Sequence, residues 1–159
     1  RPAAGPWVYE QQQLGFNYRI TDLQTALGLS QLQRLDEIVA ERNRQLKLYR
    51  ELLTGLPVQL LEVPEAVVSS VHLAVIRLQQ ATADQHRQVF EGLRAARIGV
   101  QLHYSPVHLQ PYYRKLGFVE GQFPEAEAYA RSAISLPLFP GLSSDEQRKA
   151  SNTLFSLFI

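Results

Sequence analysis

Asn17, Tyr18 and Arg19 stand side by side directly before a helix start, where Thr21 and Gln24 have the spacing of a capping box. A rigid helix start of this kind holds an amide, a phenol and a guanidinium close together, which suits an anion or a phosphorylated ligand. The same residues also fit an exposed polar turn that only caps the helix. A second cluster runs from His103 to Tyr113 and holds His103, His108, Tyr104, Tyr112 and Tyr113. Aromatic faces with imidazole and amide donors are what a sugar-nucleotide pocket uses, with stacking on apolar faces and directional bonds to hydroxyls. A proline-rich loop packed by its own tyrosines is the plainer alternative. A metal centre fits poorly, because no acidic or thiolate ligand stands near His103 and His108. His72 reads as a hydrogen-bonded structural histidine inside a strand, and His86 as a residue of a surface helix.

The elements that must position these groups begin with an irregular stretch, where Pro2, Gly5 and Pro6 oppose regular structure. From Asp22 to about Leu53 the pattern is helical, in two pieces that bend near Leu35-Asp36, with Leu23, Ala26, Leu27, Leu32, Leu35, Ile38 and Val39 on its apolar stripe. Gly55 and Pro57 end it. Val58–Leu61 and Val71–Leu78 read as strands. Thr82 or Asp84 starts a helix to about Ala96, with Val89, Phe90 and Leu93 inward. Gly99 turns the chain into a strand ending near Tyr104, and a short helix covers Pro111–Leu116. Pro124 opens another helix, which carries Ala126, Tyr129, Ala130 and Ala133. Leu136–Pro140 reads as extended, and Ser143 or Ser144 caps a last helix with Asp145 and Glu146 in its first turn. The fold class is α/β, of the α+β type: a long helix followed by a small mixed or antiparallel sheet flanked by helices. The expected divisions are an irregular segment over 1–20, the long helix over 21–56 and a small α/β domain over 57–159.

With 45% hydrophobic and 19% charged residues the chain is globular and not disordered. A net charge of +1, from scattered basic residues, argues against nucleic acid or an acidic membrane surface as partner. No apolar run is long enough to cross a bilayer as a helix. The absence of cysteine fits a reducing cytoplasm.

Gly15–Asp22, followed by Gln24, Ala26, Leu27, Gly28, Gln31, Leu32 and Leu35-Asp36, resembles the DegT/DnrJ/EryC1/StrS family. The likeness continues through Ser69–Leu73, Gly99–Tyr113 and Ala133–Leu142 in the family's order and spacing, although the family usually has Trp where Val71 stands. It is nearest the branch that makes 4-amino sugars on the route to pseudaminic acid. The resemblance implies a pyridoxal-phosphate-dependent aminotransferase of fold type I, of which this chain matches the C-terminal small domain. The implied reaction moves an amine from a donor such as glutamate to a nucleotide-linked 4-keto-6-deoxy sugar, in a cytoplasmic homodimer. Asn17 matches the asparagine that reaches the cofactor phosphate of the neighbouring subunit, Arg19 supplies charge or holds that loop, and Tyr18 lines the shared pocket. Tyr104 and His108 become substrate contacts. The chain has no Met, and the only lysines, Lys47, Lys115 and Lys149, match no Schiff-base motif. The resemblance therefore implies a fragment whose cofactor-binding domain and lysine lie upstream, inert alone. A sugar 3-dehydratase of the same family and a non-catalytic dimerising domain are the alternatives.

Overall fold

The computed structural model describes residues 13–16, 18–64 and 66–158. The chain divides into two compact units at Leu35 and Asp36. The described part of the first unit is helix α1 (Asp22–Leu32), opened by the expected reciprocal cap. The Gln24 amide donates to Thr21 Oγ1 at 3.3 Å, and the Thr21 amide donates to Gln24 Oε1 at 3.0 Å. No residue of α1 is buried, so the apolar stripe of Leu23, Leu27 and Leu32 lies open.

Helix α2 (Leu35–Leu52) carries the second unit's framework. The expected break falls at Gln33-Arg34, just before Leu35. Three antiparallel strands follow in the order β1 (Val58–Leu60), β2 (Ala74–Leu78) and β3 (Ala133–Leu136). Ile76 pairs with Leu60 on one side and Ile134 on the other. Helices α3 (Ala83–Ala95), α4 (Pro111–Lys115), α5 (Pro124–Ser132) and α6 (Ser144–Ser156) complete the unit. Tyr49, Ile76, Leu93, Ile134 and Leu154 are fully enclosed in one core, contributed by α2, β2, α3, β3 and α6. Val89 and Leu93 point inward on α3 as its periodicity predicts, with Phe90 packed at the edge.

Three expectations fail for identifiable reasons. The second strand begins at Ala74 and not at Val71, because Val71 sits at φ 35°, outside the extended region a ladder needs. Its amide instead donates to Ser69 Oγ, while Arg42 and Asn43 of α2 donate to the carbonyls of Val71 and Ser69. His72 is consequently exposed and outside the strand. Gly99–Tyr104 forms only one bridge, Gln101 to Ser135, before turning away. Ala133–Leu136, which reads as a helix tail leading into an extended run, is a fully buried strand because β2 offers it a complete ladder.

Polar side chains on α2 fasten the proline-rich turn after β3. Gln45 Nε2 donates to the carbonyls of Phe139 and Leu142, and Tyr49 Oη donates to Pro137 at 3.0 Å. Gly141, whose φ of 89° favours glycine, donates its amide to Glu41 Oε1 at 2.7 Å. Burial pushes the Tyr49 phenol up, so it stays a neutral donor.

Tyr49→Phe removes one buried hydrogen bond and is expected to cost about 1 kcal/mol in urea unfolding. Leu93→Ala opens a core cavity and is expected to cost about 2–5 kcal/mol. The α6 cap supplies a pH signature. The amide and hydroxyl of Ser143 hold the Glu146 carboxyl below the usual carboxylate range. That contribution is present above the unfolded value of about 4.3 and is lost as pH falls through the lower folded value. Ser143→Ala is expected to flatten the acid limb of a stability–pH series while leaving its neutral plateau shape intact.

Candidate functional site

After its single bridge to β3, the chain enters the Leu102–Gln110 loop, which the fold secures from below at two points. His103 Nδ1 lies 2.8 Å from Ser135 Oγ on buried β3. Five residues on, a 3-10 turn at Val107–Leu109 drives His108 inward, where its Nε2 lies 2.8 Å from Glu127 Oε1. The peptide between His103 and Tyr104 is cis. Between the two anchors Tyr104 stands 72% exposed, its ring edge-on to His103. Arg114 Nε donates to the Leu109 carbonyl and closes the loop against α4.

Glu127 is the unexpected member. It lies on α5 and is only 4% exposed. Its Oε1 also accepts from the Gly121 amide at 2.8 Å, while Oε2 lies 3.8 Å from Arg131 Nη1. Burial alone raises its carboxyl, but hydrogen bonds from His108 and from the Gly121 and Phe123 amides outweigh this and hold it below the usual carboxylate range. An ionised carboxylate only accepts, so His108 Nε2 carries the proton between them. The Phe123 ring covers the imidazole at 4.8 Å.

A cleft of about 210 Å³ opens over these groups, lined by Leu102, Tyr104, Ser105, Glu120, Tyr129 and Arg131 with Glu127 at its base. Sites for drug-sized ligands run to about 300–1,000 Å³, so this cleft accommodates one part of such a molecule. Arg131 also lies 3.9 Å from Glu120.

The sequence-predicted site residues thus separate. Tyr104 reaches the cleft. His108, expected as a direct substrate contact, is buried at 7% exposure and turned to Glu127, so it supports the loop from beneath. Tyr18 and Arg19 belong to the first unit and are exposed, with Tyr18 stacked on Phe16 at 5.2 Å. Asn17 lies outside the described residues. His72 Nδ1 lies 3.5 Å from Arg42 Nη1, and His86 Nε2 lies 3.1 Å from the Ala133 carbonyl. Glu127 escapes sequence reasoning because Ala126 and Ala130 suggest an apolar inner face. In the structure Ala126 is exposed and Glu127 takes the inward position. The available signal is an acidic residue three before Ala130 on that face.

Lys47, Lys115 and Lys149 are all exposed. No three His, Cys, Asp or Glu side chains among the described residues come together around a metal-sized space. No described helix is long and apolar enough to cross a membrane.

A profile of the DegT/DnrJ/EryC1/StrS aminotransferase family matches residues 4–155. The spore coat polysaccharide biosynthesis protein SpsC of Bacillus subtilis is 34% identical over 146 residues, which make up 89% of this chain and 38% of that protein. The UDP-4-amino-4,6-dideoxy-N-acetyl-β-L-altrosamine transaminase of Campylobacter jejuni is 30% identical over 152 residues, or 95% of this chain and 40% of that one. Among solved structures, Spr1654 from Streptococcus pneumoniae, assigned as a sugar aminotransferase, superposes in its PLP form with a TM-score of 0.88 at 29% identity. That match covers 95% of this chain and 39% of the other. The chain spans about two fifths of the length of the curated relatives it matches. With the family profile extending through both units and a shared fold to support it, this chain belongs to the DegT/DnrJ/EryC1/StrS aminotransferase family.

Proposed function

We propose that this chain is the small-domain part of a pyridoxal-phosphate-dependent nucleotide-sugar aminotransferase, and that the Tyr104 cleft is one wall of its substrate pocket. The observation that carries this reading is an exposed tyrosine held over a cleft by one part-buried and one buried anchor, in a chain of this family. The substrate is a nucleotide-linked 4-keto-6-deoxy sugar, and the donor is an amino acid such as glutamate. Glu120 and Glu127 outnumber Arg131 in the lining, so the cleft receives an uncharged part of the ligand, a sugar ring or a base, and not its diphosphate.

Asn17 and Arg19 are assigned to the cofactor phosphate and Tyr18 to the pocket edge. An exposed guanidinium beside a capped helix start suits a phosphate. The cofactor supplies an electron sink for the amine transfer. The lysine that binds it is assigned outside these residues, because the lysines present are exposed. The residues of this chain bind and orient: Tyr104 offers a ring face and a hydroxyl, and His103 fixes the direction of that ring. The open apolar residues of α1, Leu23, Leu27 and Leu32, support a homodimer contact in the cytoplasmic enzyme.

Titrating the labelled 159-residue chain with UDP-N-acetylglucosamine is expected to move amide signals at Leu102–Pro106 and Tyr129–Arg131, and Tyr104→Ala is expected to abolish the response. No change at millimolar ligand contradicts the reading and favours a non-catalytic dimerising domain. Mixing the chain with pyridoxal phosphate is expected to give no stoichiometric shift of the cofactor's absorbance. A stable one-to-one band overturns the lysine assignment.

A further inference from the structure

The cleft's shape rests on a residue that the ligand reading does not require. Glu127 comes from α5, whereas Tyr104 comes from the loop after the Gln101 bridge, with the 3-10 turn and α4 between them in the chain. Among the described residues, the contacts that tie this loop inward are His103 to Ser135 and His108 to Glu127. The second is the more demanding. It encloses an imidazole and a carboxylate, each less than 10% exposed, and a buried ion or dipole left without its partner is costly. The same carboxylate oxygen gathers the Gly121 amide, so one atom joins the 3-10 turn, the Gly121 turn and α5. Its second oxygen faces Arg131 at the cleft.

We propose that Glu127 is a positioning residue for the substrate cleft: acting through His108, it fixes the imidazole as the Nε2–H form and thereby holds the Tyr104 loop in its ligand-receiving shape. This inference rests on the cleft being the ligand wall proposed above. The geometry assigns the work to the carboxylate and not to packing alone. An apolar residue could fill the volume at position 127, but it leaves Nε2–H and the Gly121 amide without an acceptor. The ring of Phe123 shuts water away from one face of the imidazole, so water is a poor substitute.

The test compares the wild-type chain with Glu127→Ala, Glu127→Gln and Glu125→Gln, the last removing an exposed carboxylate of the same helix outside the cleft lining. Long-range proton–nitrogen spectra of the wild-type imidazole are expected to show the Nε2–H form at His108, a signature that packing alone does not dictate. Amide exchange over Leu102–Gln110 is expected to quicken in Glu127→Ala while β2 and β3 keep their protection. UDP-N-acetylglucosamine affinity is expected to fall roughly tenfold. Glu127→Gln retains an acceptor for Nε2–H and is expected to recover most of both, and Glu125→Gln is expected to resemble wild type. An Nδ1–H form in the wild type overturns the proposal, as do unchanged loop exchange and affinity in Glu127→Ala. If Glu127→Ala does not fold, the wild-type tautomer decides alone. If the wild-type chain binds no nucleotide-sugar, the ligand reading fails, while the tautomer and exchange results still decide the role of Glu127.

Discussion

A single enclosed carboxylate, Glu127, is the constraint on which the architecture around the cleft depends. It accepts hydrogen bonds from an imidazole and an amide that belong to different parts of the chain, and only 4% of it is exposed. Directional bonds of this kind set positions more narrowly than apolar contact, because an acceptor of fixed geometry must be met by both donors. The loop above is short of regular hydrogen bonds of its own, having left the sheet after Gln101. Its order is borrowed from α5 and β3. This explains how an exposed tyrosine, which carries a large apolar ring into solvent, keeps a defined place.

The same division of labour recurs at α2. Irregular stretches are held by polar side chains of a long regular element, α2. Glu41, Gln45 and Tyr49 satisfy the turn from Pro137 to Leu142, and Arg42 and Asn43 satisfy the segment around Val71. Helix α2 therefore does more than bury Leu46 and Tyr49. It fastens two loops by hydrogen bonds to their backbone groups, while β2 and β3 fill the core.

What the sequence disclosed was local. Thr21 with Gln24 acts over three residues, and the structure forms that box and settles the two later helix starts on Thr82 and Ser143, each with a box of its own. Pro124 at a helix start and Gly55 after a helix end are equally local signals. What stayed hidden depends on partners distant in sequence. Ala133–Leu136 becomes a strand only because β2 lies beside it, and Val71 leaves the extended region because α2 engages its neighbours. His108 and Glu127 are 19 positions apart, and nothing at either position announces the other. For the His103–Tyr113 cluster, the residue pattern did not disclose that Tyr104 faces outward while His108 turns in to Glu127. Family resemblance supplied the chemistry, which no local pattern contains.

The buried pair is tested most directly by a double-mutant cycle between His108→Phe and Glu127→Ala, followed by urea unfolding. If the two groups act as one anchor, either substitution alone loses nearly what both lose together, and the effects are strongly non-additive. Losses that simply sum would show that the two side chains contribute independently, and the account of a loop held by one buried pair would be wrong.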